Sequence, residues 1–510
     1  MEMNYAKTVE KWGTLEVAVK GPKEGNPFCD QWIKGTFECK NEKKTVDGFY
    51  DGDGVYKVRF MPSFVDTYTF KIESSFQTES AEEVSGSFEA VAPSADNHGP
   101  VRVAGTYYLA YEGGKPYHCI GTTCYVWNLQ NEKLQEQTLK TLEENAFNKI
   151  RFCIFPKHYD YNLHEPITYP YEGTPCDTSE LNENNFAEYN GCAPGNDWDF
   201  TRFNPAHFQH IEECIKKLMA LGIQADLIVM HPYDRWGFSM MKAEDDDRYW
   251  KYVLARFSAY RNVWWSLANE YDLMHEKTLA DWERYAAIIC EKDPYHHLRS
   301  IHNCKAYYDY NLPWVTHCSI QRTETYRSSE LVNEWREKYH KPVVLDEICY
   351  EGNIQFGWGN ISGEEMTRRF WEAFCRGGYP GHGETYLSPD RILWWSHGGV
   401  LHGTSPERIK FLAKIMEETP GLGVEPMPCK WDEVACRAAG FPARKDYFIY
   451  YYTFMRPSFR DFYFDDTTEY QVEIIDTWEM TITDGGIHKG QFRVQLPGKE
   501  YIAVRIKAVK

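Results

Sequence analysis

Fifteen cysteines run from Cys29 to Cys436 without a single C-x-x-C pair. Their odd number and irregular spacing indicate neither a zinc site nor a complete disulfide framework, so reduced, mostly buried thiols are expected. Also missing are H-E-x-x-H, G-x-x-x-x-G-K-[ST] and G-x-S-x-G, so zincin, P-loop and serine-hydrolase chemistries lack their parts. Gly357, Gly359 and Gly363 are wrongly spaced for a dinucleotide loop. There is no basic excess: the formal net charge is −19, which makes nucleic acid and anionic membrane poor partners. No window approaches the roughly 18 to 20 apolar residues of a membrane span, and the opening MEMNYAKTVEKWG lacks a basic start followed by an apolar stretch. A cytoplasmic location is the expectation.

What the chain does have is aromatic side chains, 16% of 510 residues, including 17 tryptophans and 36 tyrosines. Such a content suits aromatic-rich β-domains or a carbohydrate-stacking cleft. The length fits about three domains of roughly 150 residues, or one large barrel with attachments. From Val9 to about Ala92, short alternating segments such as TLEVAVKG, GVYKVRFMP and DTYTFKIES read as an antiparallel β-sandwich. The segment Val91 to Pro100 is a hinge, and a second linker, TPGLGVEPMP, precedes another β-rich stretch with YFIYYYTF, EYQVEIID and KEYIAVRIKAV. The expected division is a sandwich over 1–97, a central domain over 98–424 and a second sandwich over 425–510.

In the central domain, apolar runs alternate with amphipathic stretches. The strand candidates are CIGTTCYVW, NKIRFCIFP, QADLIVMHP, NVWWSLANE, HLRSIHN, HCSIQRT, KPVVLDEICY and GGYPGHGETYLS. Helices are expected at Asn131 to Ala146, Pro205 to Leu221, Glu244 to Ala259, Thr278 to Glu291, Ser328 to Tyr339, Gly363 to Cys375 and Ser405 to Glu418, with none after strand five. Parallel strands need such crossovers, so an α/β fold with a central (β/α)8 TIM barrel is predicted, a doubly wound open sheet being the alternative. The long polar insertion from Lys157 to Asn204 would then sit over the mouth as a lid or pocket wall.

A barrel enzyme carries its catalytic groups at the carboxyl ends of its strands. Strand four ends in Ala268, Asn269, Glu270 and Tyr271, and strand seven in Asp346, Glu347, Ile348 and Cys349. Two glutamates there can face each other, as retaining glycoside hydrolysis requires of carboxyls roughly 5 to 5.5 Å apart. Taken singly, Glu270 could be a helix-start carboxylate and Glu347 a loop residue paired with an arginine; together they point to catalysis. Period-two alternation puts Asp346 and Glu347 on opposite faces, which leaves Asp346 as the reserve. Glu244 to Asp247 look like a metal site only superficially, and a solvated helical turn is expected instead.

With Asn-Glu ending strand four and Glu ending strand seven, the sequence resembles the retaining clan of TIM-barrel glycoside hydrolases. The N-terminal sandwich, KPVVLDEICYEG and GYPGHGETY are similar to the apiosidase-like branch of that clan. The resemblance implies Glu270 as general acid/base, Glu347 as nucleophile and Asn269 as a ligand of the sugar 2-hydroxyl. It further implies that Arg151 orients the nucleophile and keeps it ionised. His231, His302 with Asn303, and Gln321 are polar residues at strand ends where sugar hydroxyls need partners. Tyr125 and Trp127 after strand one, and Trp395 after strand eight, are candidate stacking platforms; His382 and Glu384 either touch substrate or close the barrel.

The expectation is therefore an exo-acting retaining glycosidase of small oligosaccharides or plant glycosides, with no cofactor and no metal. Its alternatives are an inverting enzyme using Asp346 or a carbohydrate-binding barrel without catalysis. Self-association into a homo-oligomer through the terminal sandwiches stays open.

Overall fold

The structure, a computed structural model, describes residues 4–76 and 84–509. Its centre is an eight-stranded parallel sheet of Gly121–Thr123, Lys149–Cys153, Gln224–Met230, Val263–Ala268, Arg299–Ser300, Cys318–Gln321, Val343–Glu347 and Tyr379–His382. Seven neighbouring pairs are laddered in parallel, and a His302 to Ser319 bridge joins strands five and six to complete the ring. All eight expected strands are present in the expected order.

The amphipathic segments form the outer layer: Glu132–Glu144, Pro205–Ala220, Ala243–Phe257, Leu279–Lys292, Val332–Tyr339, Gly363–Cys375 and Ser405–Glu417. Strand five is followed by a loop without a helix, held by Asp272, whose carboxylate accepts from the backbone N–H groups of Cys304, Lys305 and Ala306 at 2.6 to 2.8 Å. The acidic turn at Glu244 to Asp247 is not solvated as expected. Asp245 pairs with Arg248 of its own helix at 2.6 Å, and the next helix and the turn before it bring Arg284 to Asp247 at 2.9 Å and Lys277 to Asp246 at 2.6 Å.

The amino-terminal sandwich packs a five-stranded sheet on a three-stranded one. Its edge departs from the antiparallel expectation, since Thr8–Glu10 runs parallel to Glu89–Val91. Past the expected hinge, whose residues 92–100 form no helix or strand, comes a hairpin of Val101–Ala104 and Tyr108–Tyr111. Val101, Leu109 and Tyr117 pack with Trp264, Val344 and Tyr379 and close the amino-terminal end of the barrel. The carboxyl-terminal unit pairs a six-stranded antiparallel sheet with a two-stranded one.

Candidate active site

Strand alternation turns every second residue into the barrel, so interior charges stack in layers. In the lower layer Lys149 Nζ donates to Asp226 Oδ2 and Asp346 Oδ1, each at 2.7 Å, and Ser319 Oγ donates to Asp346. Arg151 lies above, its Nε 3.7 Å from Asp226 and 3.8 Å from Asp346. Burial alone would raise the Asp346 carboxyl, but Lys149 and Arg151 outweigh it and hold it well below the usual carboxylate range.

Asp346 and Glu347 do not point to opposite faces as alternation predicts. The pairing of strands six and seven slips after Ile320, so Gln321 stands opposite Glu347 and Asp346 is the extra residue of a bulge. Asp346 stays in the lower layer while Glu347 turns into the mouth. Glu270 reaches the mouth through a second irregularity: its φ of +51° lies in the left-handed region, where a non-glycine residue is strained by about 1–2 kcal/mol. That bend aims the consecutive Asn269 and Glu270 at the same space.

Glu347 Oε1 accepts from the Tyr125 hydroxyl and from Arg151 Nη1, the latter at 3.3 Å. Asn269 Oδ1 ties the group together, 3.1 Å from both Arg151 Nη2 and the Tyr125 hydroxyl. Glu270 is surrounded by neutral donors: Gln321 Nε2 at 3.0 Å, Asn269 Nδ2 at 3.3 Å and the Tyr233 hydroxyl. His302 stands 3.8 Å from Glu347, and burial drives its imidazole well below the ordinary range, so it is neutral. Burial and the facing Glu270 push the Glu347 carboxyl up to about 7, against the pull of Arg151, Tyr125 and Lys157.

Aromatic rings wall this space. Trp395 meets Tyr125 at 5.5 Å and Tyr159 at 5.6 Å edge-to-face, and Trp358 at 5.1 Å with the rings tilted by 44°. Tyr159 and Tyr161 belong to the insertion after strand two, and Tyr161 donates to Gln355 in the loop after strand seven. Lys157 Nζ sits over the rings of Tyr125 at 3.6 Å, Trp395 at 4.2 Å and Tyr233 at 4.3 Å, and burial lowers it to about 8.

Seven expected residues thus gather around Glu347: Glu270, Asn269, Arg151, His302, Gln321, Tyr125 and Trp395. Two expected residues do not. Trp127 begins the short helix Trp127–Leu129, which turns its indole outward onto Phe152 at 5.7 Å in the core beneath the helices. His231 is buried with Nε2 3.3 Å from the Phe155 carbonyl, touches neither glutamate, and is pushed down to about 3 by burial. Sequence reasoning missed Tyr233 and Lys157. Their signal was a polar residue just past a proline at the strand end, in H-P-Y and F-P-K. It also missed Tyr350, whose buried, unpaired hydroxyl lies near Glu347. His382 and Glu384, undecided from sequence, join Glu351 in a separate buried cluster.

Residues 104–420 match the family described as apiosidase-like, catalytic domain, which spans more than half of the chain. The chain belongs to the apiosidase-like family. Flanking this apiosidase-like domain, residues 8–75 and 431–507 match two domains of unknown function, DUF5060 and DUF5605. A crystal structure from Bacteroides vulgatus ATCC 8482, provisionally classed as a glycoside hydrolase, is 38% identical over 99% of this chain and 100% of its own, with a TM-score of 0.90. A glycoside hydrolase family 5 structure from the same organism covers 80% of this chain and 94% of its own at 16% identity, with a TM-score of 0.60; it shares the fold. No curated protein matches. The apiosidase-like protein is a TIM-barrel glycoside hydrolase.

Proposed function

We propose that this glycosidase retains anomeric configuration and works by double displacement, with Glu347 as nucleophile and Glu270 as acid/base. The observation that carries the reading is the unequal setting of the two carboxyls. Arg151 and the Tyr125 hydroxyl hold Glu347, which fixes the direction from which its oxygen can attack, whereas Glu270 is held by the neutral donors Gln321, Asn269 and Tyr233. That difference in partners supports Glu347 as the nucleophile and Glu270 as the acid/base.

In the first step Glu347 attacks the anomeric carbon, the glycosidic C–O bond breaks, and Glu270 gives its proton to the leaving oxygen. In the second, Glu270 takes a proton from water, whose oxygen displaces Glu347 from the same carbon. Arg151 and Tyr125 hold the Glu347 oxygen in line, and Asn269 is placed to bond the sugar 2-hydroxyl. Asp346 does not serve as an inverting base in this scheme, because Lys149 and Ser319 already occupy its carboxylate. Action on a terminal sugar is supported by the Tyr161 to Gln355 contact, which closes one side of the cleft beside Trp395 and Trp358.

The test is product stereochemistry by proton NMR in the first minutes of hydrolysis of a panel of aryl glycosides, including apioside, xyloside and arabinofuranoside. The same anomer as substrate is expected. Azide should rescue Glu270→Gln with retention and Glu347→Gly with inversion. An inverted first product sinks the mechanism, and release of mid-chain oligomers from a polysaccharide sinks the exo reading.

A further inference from the structure

The barrel holds a second constellation of ionisable groups that catalysis does not use. Glu351 follows strand seven, His382 ends strand eight and Glu384 lies two residues on; Glu351 and Glu384 pair in a short parallel bridge. All three are buried, and one ligand-type atom from each lies within 4.8 Å of the others. We propose that Glu351, His382 and Glu384 bind a divalent first-row transition-metal ion.

Three features support it independently of the acidic count. His382 is fully buried and its Nε2 has no partner. Its Nδ1 lies 3.3 Å from Thr122 Oγ1, which can accept Nδ1–H and leave Nε2 with a free lone pair, the tautomer a metal requires. Both carboxylates are already oriented from outside. Glu384 accepts from the backbone N–H groups of His402 and Gly403, and Glu351 from those of Thr404 and Ser405, at 2.5 to 3.0 Å. Glu351 Oε1 also accepts from the Thr404 and Tyr386 hydroxyls, at 3.2 Å each, whereas Glu351 Oε2 and both Glu384 oxygens, with one donor each, keep a further lone pair. Finally, a Cβ on residue 403 would lie 2.5 Å from Glu351 Oε2 and 2.6 Å from Glu384 Oε2, so glycine is needed there to let the two oxygens converge.

Charge points the same way. Neither carboxylate has a lysine or arginine ion pair among the described residues; the hydrogen bonds to them come from backbone N–H groups and hydroxyls. Two facing buried carboxyls with no cation beside them resist ionising together, a penalty that a divalent ion removes. Two carboxylate oxygens and one imidazole suit zinc, manganese or iron(II), with ligand distances of about 2.0–2.2 Å; small side-chain rotations draw the three atoms in. The ion would pin the loop at 402–405 and the helix Ser405–Glu417 to the extension of the strand that carries Glu347.

The competing reading is a proton shared by the two carboxyls. The untagged full chain, stripped with EDTA and dialysed separately against Zn2+ and Mn2+, is analysed by mass spectrometry for metal content and by thermal melting. Expected are about one ion per chain, a higher melting temperature with metal than after EDTA, and loss of both in Glu384→Gln and His382→Gln. Less than about one-tenth of an ion in the loaded wild type, or equal metal in both variants, overturns the proposal. Should the variants fold poorly by circular dichroism, the wild-type metal content and its response to EDTA decide alone. Under the shared-proton reading, Glu384→Gln melts no lower than wild type and EDTA changes nothing.

Discussion

Both glutamates of the mouth stand where the backbone leaves regular strand geometry, Glu270 at a left-handed residue and Glu347 beyond a bulge. Without these departures, alternation would send one of each consecutive polar pair outward, and Asn269 could not share the mouth with Glu270. The closeness of the two carboxyls has a thermodynamic cost that can be measured. With Glu347 raised from 4.5 to about 7, the folded chain keeps a proton that the unfolded chain has lost between those values. This group's contribution is therefore fully present at low pH and is lost as pH rises through about 7. Glu270→Gln removes the facing charge, so Glu347 should titrate lower and the fall in stability from pH about 5 to about 8 should shrink. Urea midpoints at the two pH values check this; an undiminished fall in the variant refutes it.

At the scale of elements, the barrel interior is bound by charges rather than filled by apolar layers alone. Lys149 bridges the carboxylates of strands three and seven, and Arg151 rests on the same pair while reaching up to Glu347. Strand position and active-site geometry are therefore coupled through one stack of side chains. Lys149→Met leaves Asp226 and Asp346 facing with only Arg151 between them, and should cost about 3–5 kcal/mol. Adding Asp226→Asn restores the balance of two opposite charges and should recover much of that loss. Equilibrium denaturation of the single and double variants decides it; additive losses would show that the stack is not coupled.

At the scale of the whole molecule, both terminal units are joined to the barrel through buried contacts. Val434, Cys436, Tyr447, Ile449 and Tyr451 of the carboxyl-terminal sheet lie in the same buried cluster as Trp371, Phe374 and Cys375 of the barrel. Arg505 of that sheet pairs with Glu418 at the end of the last barrel helix. The amino-terminal sandwich is joined by a buried network in which Arg59 grips both oxygens of Glu212, and Arg256 bridges Glu212 and Asp51. Deleting 425–510 should therefore expose an apolar face of the barrel and abolish cooperative folding, and the full chain should melt in one calorimetric transition. A truncated chain that stays soluble, melts sharply and hydrolyses substrate would refute this.

The strand order, the helical crossovers, and the placing of Asn269, Glu270, Arg151, Gln321 and Glu347 at strand ends were legible in the sequence. These properties follow from periodicity, which acts between near neighbours and leaves its mark on every strand and helix. Legibility stopped where the strands stop. Past a strand end no period constrains a side chain, so Trp127 turned outward, His231 lodged against a carbonyl, and Tyr233 and Lys157 took the mouth instead. The choice between Asp346 and Glu347 depended on a pairing slip between two strands, and the grouping of Glu351, His382 and Glu384 on the return of a distant loop. Local sequence determined which elements form and in what order. Contacts between segments far apart in the chain decided where each polar group points, because only tertiary packing can stabilise a bulge, a left-handed residue or a buried charge.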